Sequence, residues 1–303
     1  MNAEAMRLMS VASSRVLGIG TAFCLGGVSM ARLRPQSMIL TLLGDYVRHA
    51  GGCIWIGSLV RILGCLGISP QGVRSAVSRM KQDDLLQSQN IHGKSFYSLT
   101  PKSTKLLDEG AARIFDFPLR RDPWDGCWHI VTYSIPEVSR DARDELRREL
   151  EWMGFGMLTL ALWISPYDHR KKIETLADSL DVRSFIEMFT ARHDGFADPK
   201  TIVARCWNLQ AINTRYETFI KKYQPLYDED RRNGKTSSPS DHFVRRFNLI
   251  HEFRRFPFFD PNLPIDLLPS DWHGAEAANL FHQYHDLLAD QANAYFQSEF
   301  VGP

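Results

Sequence analysis

At roughly 100 to 200 residues per domain, a chain of 303 residues has room for two or three domains. Its 44% hydrophobic and 23% charged residues exclude a collagen-like, broadly disordered or disulfide-built chain, and the five cysteines (Cys24, Cys53, Cys65, Cys127, Cys206) form no CxxC pair and suit a reducing cytoplasm. The net charge of +1 conceals an asymmetry: Arg32 to Arg121 carries 13 Lys and Arg against 6 Asp and Glu, while Asp122 to Pro303 carries 21 against 28, so the front of the chain reads as a polyanion-binding module.

In residues 1–31, Arg7 and Arg15 accompany a mildly apolar run from Val16 to Val28 that contains Gly18, Gly20, Gly26 and Gly27. The run is too short and Gly-rich to span a membrane, and no convincing small-x-small cleavage site follows it. It reads as a disordered extension, a start assigned upstream of Met30, or an export signal, and is set apart from the fold. Pro35 then suits the first turn of a helix, with Met38, Ile39, Leu42, Leu43, Tyr46 and Val47 inward at helical spacing, until Gly51-Gly52 stops it. After the apolar stretch Ile54-Trp55-Ile56, a second helix is predicted over 58–66 with Leu59, Ile62 and Leu63 inward. Gly67-Ile68-Ser69 forms a turn, and Ser69 caps a third helix over 70–81. Strands over 85–89 and 95–99, joined by the turn Asn90 to Lys94, make a hairpin, and Thr100 caps a fourth helix carrying Leu106, Leu107, Ala111 and Ile114. Three helices, a hairpin and a helix within 32–116 follow the order of a winged helix-turn-helix domain.

Residues 117–123 read as a linker. A strand over 128–135, a charged helix capped by Ser139 with Ala142, Leu146, Leu150 and Met153 on one face, a strand over 157–165, a helix over 171–179 and a strand over 182–190 build a ferredoxin-like layer within 122–195. Residues 196–303 read as a helical domain with helices over 199–223, 242–253 and 274–300, and a mobile, charged and Ser/Pro-rich break over 230–240. The fold class is therefore α+β in three domains.

The third helix carries the clearest chemistry. Val73, Val77 and Met80 fall on one stripe with Ala76 beside them, which leaves Gln71, Arg74, Ser75, Ser78 and Lys81 opposite and Arg79 on the flank. Arg pairs with guanine edges, Gln with adenine, and Ser with bases or phosphate, so such a helix suits the DNA major groove. A solvated polar face is the ordinary alternative for one isolated helix. The preceding helix and turn, the following hairpin and the basic charge favour DNA together. The hairpin tip His92-Gly93-Lys94 would be the wing, with Lys94 on phosphate; a solvated turn is the other reading.

Longer motifs carry a family resemblance. They run through Pro35-Gln36-Ser37-Met38-Ile39-Leu40-Thr41-Leu42-Leu43-Gly44-Asp45-Tyr46, Trp55-Ile56-Gly57-Ser58-Leu59 and Gly67-Ile68-Ser69-Pro70-Gln71-Gly72-Val73-Arg74. Further ones are Trp124-Asp125-Gly126, Trp152-Met153-Gly154-Phe155-Gly156, Trp163-Ile164-Ser165-Pro166, Leu249-Ile250-His251-Glu252-Phe253-Arg254-Arg255 and Leu267-Leu268-Pro269-Ser270-Asp271-Trp272. From about Arg34 to the C-terminus the chain resembles the PaaX-type repressors of bacterial phenylacetate degradation. The resemblance implies a homodimeric transcriptional repressor on double-stranded operator DNA, cytoplasmic and nucleoid-associated, with no membrane contact, cofactor or metal. It also implies release from the operator by an aryl-acyl-CoA such as phenylacetyl-CoA, through a population shift.

The central region also resembles a ferredoxin-like CRISPR-associated nuclease, which would need a carboxylate at the end of its first strand. Tyr133-Ser134-Ile135-Pro136 has none. His242, His251, His273, His282 and His285 cluster late, and the i, i+3 pair of His282 and His285 reads more simply as solvated or capping residues than as a metal site. His251-Glu252 lacks an accompanying nucleophile motif, so a nuclease or CoA-thioester hydrolase remains only the alternative to a regulator, and no catalytic residue is assigned. For the effector that the resemblance implies, phosphates need cations and an acyl group needs an apolar slot. Arg245, Arg246, Arg254 and Arg255 with His251, interleaved with Phe243, Phe247, Phe253, Phe256, Phe258 and Phe259, are the candidates; a core with surface arginines is the other reading.

Overall fold

A computed structural model describes residues 35–105, 107–108, 123–233 and 238–303. Residues 1–31 and nearly all of the predicted linker lie outside the described residues, as do Leu106, Ala111 and Ile114 of the predicted fourth helix. The described chain is mixed helix and sheet and gathers into two compact units. One holds 35–108, 219–255 and 278–303; the other holds 123–218 and 256–277.

In the first unit, α1 (Pro35–Asp45) buries Met38, Ile39, Leu42 and Leu43. The chain turns at Gly51 and Gly52, with φ of 89° and 75°, a conformation that a side chain disfavours, and enters β1 (Cys53–Trp55). Helix α2 (Ile56–Gly64) buries Leu59, Ile62 and Leu63, and α3 (Pro70–Gln82) follows the Gly67 turn. Strands β2 (Leu86–Ile91) and β3 (Lys94–Leu99) pair antiparallel, and β1 joins the far side of β3 to give the order β1-β3-β2. Ile91 pairs with Lys94, so the predicted five-residue turn contracts to His92-Gly93, with φ of 50° and 76°. Two positive φ values mark a tight hairpin turn whose twist matches the strands, and the Asn90 side chain accepts the Gly93 N–H at 3.1 Å. Thr100 caps helical residues 101–105 through the Ser103 N–H at 3.3 Å.

The core of this unit also draws in helices from the end of the chain. Phe243 and Phe247 of α8 (Pro239–Phe253) and Ala292 and Phe296 of α9 (Gly274–Glu299) are buried in one cluster with Met38, Leu42, Tyr46, Leu59 and Val77. Inside it, Arg246 Nη1 donates to Asp45 at 2.6 Å, its guanidinium lies 4.9 Å from the Tyr46 ring centre, and Nη2 lies 2.7 Å from His285 Nε2. Their side chains are only 7% and 11% exposed.

The second unit is built on an antiparallel sheet of order β5-β6-β4-β7, with β4 (Cys127–Tyr133), β5 (Gly156–Thr159), β6 (Leu162–Ser165) and β7 (Ile186–Arg192). Helix α4 (Arg140–Trp152) connects β4 to β5 and α5 (Arg170–Ser179) connects β6 to β7; Leu146, Leu150, Ile173 and Leu176 pack with Val131 and Trp163 of the sheet. Ser139 holds the N-cap position of α4 without a side-chain cap bond.

Several predicted elements are corrected. The single strand over 157–165 is two strands, turned at Leu160-Ala161 with Ala161 at φ 59°; no Gly, Pro or Asn marks the bend. The strand over 182–190 starts at Ile186, because Val182 is a core residue and residues Arg183–Phe185 form a 3-10 turn. The helix over 199–223 is α6 (Pro199–Cys206) and α7 (Leu209–Asn233), separated at the extended Trp207, whose indole donates to the Gly154 carbonyl at 3.2 Å. Up to Thr218, α7 belongs to this unit, and from Phe219 to the first. The break over 230–240 narrows, since α7 runs on to Asn233 and a capping box of Ser238 and Asp241 starts α8 at Pro239.

Removing one partner of a buried ion pair leaves the other charged and desolvated. Arg246→Ala is therefore expected to cost about 3–5 kcal/mol in urea unfolding, through the stranded Asp45 carboxylate.

Candidate nucleic-acid interface

Ser69 starts α3 by accepting the Gly72 N–H at 3.1 Å, and Pro70 occupies the first turn, where its missing N–H costs nothing. Val73, Ala76, Val77 and Met80 face the core, and that fixes which side the helix shows to solvent. Gln71, Arg74, Ser78, Arg79 and Lys81 are exposed and Ser75 is half-buried. The structure thus brings all six predicted α3 residues onto one accessible surface. One further turn adds exposed Gln82, four residues past Ser78, which the helical spacing already signalled. Gln87, Ser88 and Asn90 of β2 are also exposed and were not anticipated, because a polar hairpin strand has no signature beyond its turn.

The cations around this surface divide into two sets. Arg48 pairs with Asp108 at 3.1 Å and Arg61 with Glu299 at 2.7 Å, so both are neutralised locally. Arg74 and Arg79 make no ion pair among the described residues. Lys81 Nζ donates to Ser88 Oγ at 2.8 Å, bracing α3 against the hairpin without losing its charge. Lys94 is not at the tip of the turn. Its Nζ lies 5.1 Å from the Trp55 ring centre, with Arg61 5.5 Å from the same ring.

The five effector candidates do not converge on a pocket. Arg245 Nη1 donates to Asp230 at 2.6 Å, and Asp230 also accepts from Tyr284 at 2.7 Å. Arg246 is held by Asp45. His251 is buried with Nδ1 3.1 Å from Thr41 Oγ1, and Arg254 is buried with Nη2 donating to Ser37. Only Arg255 of the five is exposed. Burial lowers the Arg254 guanidinium to about 9, assisted by the neighbouring charge of Arg255. Phe243, Phe247, Phe253 and Phe256 are buried core residues. A cavity of about 670 Å³ does occur, lined by Tyr167, His169, Arg170, Lys171, Lys172 and Asn262 among others, and it contains none of the five.

Of the late histidines, His273 pairs with Glu276 in the first turn of α9 at 2.9 Å, a capping position. His242 and His251 are buried, and His285, one of the i, i+3 pair read as solvated or capping, instead lies against Arg246. Among the described residues no group of three His, Cys, Asp or Glu is arranged to hold a metal ion, and no helix is long and apolar enough to cross a membrane.

Comparison with known proteins gives this geometry its context. Residues 34–103 match the PaaX-like protein family, residues 121–203 the PaaX protein central Cas2-like domain, and residues 207–298 the PaaX-like protein C-terminal domain. The Escherichia coli (strain K12) transcriptional repressor PaaX is 31% identical over 271 residues, covering 88% of this chain and 84% of that protein. A solved structure of an uncharacterized Mycobacterium tuberculosis protein superposes with a TM-score of 0.60 at 21% identity, over 88% of this chain and 99% of the other, which shows a shared fold. The chain belongs to the PaaX family. The named relative is a transcriptional repressor.

The His251 imidazole is pushed down to about 3, chiefly by burial and then by Arg254 and Arg255. Between its unfolded value near 6.5 and about 3, the unfolded chain binds a proton that the folded chain refuses. Stability is then present above about pH 6.5 and lost as the pH falls toward 3. His251→Gln is expected to flatten the fall in Tm between about pH 6.5 and 4 in thermal melts.

Proposed function

We propose that this chain is a DNA-binding transcriptional repressor of an aromatic, phenylacetate-type catabolic operon. The observation that carries the reading is the exposed face of α3, where Arg74 and Arg79 have no ion-pair partner among the described residues while Arg48 and Arg61 are neutralised. Unpaired cations on a helix are available to guanine edges and phosphates without first breaking a protein contact. The order of helices and hairpin supports a winged helix-turn-helix arrangement with α3 as recognition helix, and the sheet order of the second unit supports a ferredoxin-like one. A division into domains over 32–116, 122–195 and 196–303 belongs to the same proposal.

In this reading the protein acts in the cytoplasm as a homodimer, each copy occupying one operator half-site. An aryl-acyl-CoA such as phenylacetyl-CoA releases it by binding better to the form that does not span both half-sites. The effector rests on the family resemblance. The partners already held by Arg245, Arg246, His251 and Arg254 leave Arg255 as the accessible cation among the five candidates.

A mobility shift on the DNA upstream of the protein's own operon and its neighbours, with and without phenylacetyl-CoA, tests the proposal: a shift reversed by the thioester is expected, and no shift at low salt overturns it. Arg74→Ala or Arg79→Ala is expected to weaken operator binding by about 1–3 kcal/mol, as measured by titration; wild-type affinity in both would remove α3 from the groove. Lys94→Ala is expected to weaken all DNA sequences alike and to lower the slope of affinity against salt by about one.

A further inference from the structure

The cavity of about 670 Å³ lies wholly within the second unit, where the turn between β6 and α5 meets Asn262. Its size is that of a small-molecule site, about 300 to 1,000 Å³, and too small to admit a duplex. One wall is fixed by a chain of hydrogen bonds. Tyr167 Oη donates to the Asn262 carbonyl at 2.6 Å, and the Asn262 N–H donates to Asp260 at 2.6 Å. Tyr216 of α7 donates to the same buried carboxylate at 2.7 Å. Asn262 itself holds φ 53°, a left-handed backbone that asparagine tolerates. A wall built this way stands before any ligand arrives, so binding does not have to order it.

The remaining lining residues set the chemistry. Arg170, Lys171 and Lys172 are exposed and face one carboxylate, Asp168, which leaves a formal charge of +2 from these four residues. Arg170 and Lys171 make no ion pair among the described residues. The start of α5 is already satisfied from within the chain. Asp168 Oδ1 accepts the Arg170 N–H at 2.8 Å, and the His169 carbonyl accepts the Lys172 and Ile173 N–H groups at 2.9 and 3.0 Å. What the cavity offers an anion is therefore its side-chain cations, not the helix terminus. Beside them stand two half-buried rings, Tyr167 and His169, 6.4 Å apart and close to edge-on. Such rings stack with a heteroaromatic base. A lone carboxylate would leave one positive charge unmet, and an inorganic phosphate would leave the rings unused.

We propose that this cavity binds a nucleotide, with two or more phosphate charges at Arg170, Lys171 and Lys172 and the base against Tyr167 and His169. The same chemistry has two sources: the adenosine 3′,5′-bisphosphate portion of a CoA thioester, and a free adenine nucleotide. The site belongs to the second unit alone, and a part in operator release rests on the repressor reading.

Calorimetric titration of the full chain at low salt with coenzyme A, ATP and pyrophosphate tests the assignment. Coenzyme A or ATP is expected to bind at least tenfold more tightly than pyrophosphate. Arg170→Gln and Lys171→Gln are each expected to weaken that binding about tenfold, with Tm unchanged because both side chains are exposed. Arg79→Ala, in the other unit, is expected to leave it as in wild type. Loss of phenylacetyl-CoA reversal of the mobility shift in Lys171→Gln identifies the thioester as the source, and retained reversal with tighter ATP binding identifies the free nucleotide. No binding at millimolar nucleotide, or wild-type affinity in both variants, overturns the site. Pyrophosphate binding as tightly as either nucleotide overturns the role given to the rings, and with it the nucleotide. The mobility shift of wild type without ligand reads the repressor proposal separately: nucleotide binding without a shift leaves the cavity standing and removes the repressor, and a shift without nucleotide binding does the reverse.

Discussion

The contact on which the first unit depends is the buried ion pair between Asp45 and Arg246. Two charges removed from water are tolerable only when each satisfies the other closely and the remaining donors are met. Here the guanidinium meets a carboxylate from α1, an aromatic face from Tyr46 and an imidazole nitrogen from α9. Residues more than two hundred positions apart are thereby fixed in one arrangement, and the aromatic packing of Phe243, Phe247 and Phe296 around Tyr46 follows from it. The N-terminal segment does not carry its own complete core: without α8 and α9, the inner face of α1 would lose part of its cover.

This arrangement also separates arginines by role. Arg246 and Arg245 are held by carboxylates, whereas Arg254 sits buried on a serine hydroxyl with no carboxylate paired to it among the described residues. Burial accordingly acts against its charge and against protonation of His251 next to it. These residues look alike in sequence, a basic and aromatic alternation on one helix, yet most of them face inward. The arginines of α3 show the opposite: an ordinary amphipathic pattern in which Arg74 and Arg79 have no ion-pair partner among the described residues.

How much was legible in the sequence follows the strength of the local signals. Val73, Val77 and Met80 define a helix face without knowledge of anything else, Ser69 and Pro70 mark its start, and Gly51, Gly52 and Gly67 mark turns that only glycine enters readily. The bend at Leu160-Ala161 was hidden because its residues are apolar and the left-handed conformation falls on an alanine. The interruption at Trp207 depends on an indole reaching Gly154, fifty-three residues earlier, and no window of sequence contains that contact. The inward course of Arg246 and Arg254 was hidden for the same reason, since their partners Asp45 and Ser37 lie on the first helix. The α3 surface was legible almost entirely, and only its last turn and the β2 face were added by the structure.

The tight turn at His92-Gly93 sets a rule for how this hairpin can change in length. Both turn residues already occupy left-handed backbone, one of them without being glycine, so the loop has no spare residue to absorb an insertion. Side chains alternate faces along β2 and β3, and adding one residue to β3 ahead of the buried Phe96 would put that ring on the wrong face for its register. Natural variation in this segment should therefore arrive as matched additions of two residues in each strand, so that the reach of the hairpin grows in discrete steps of about 7 Å.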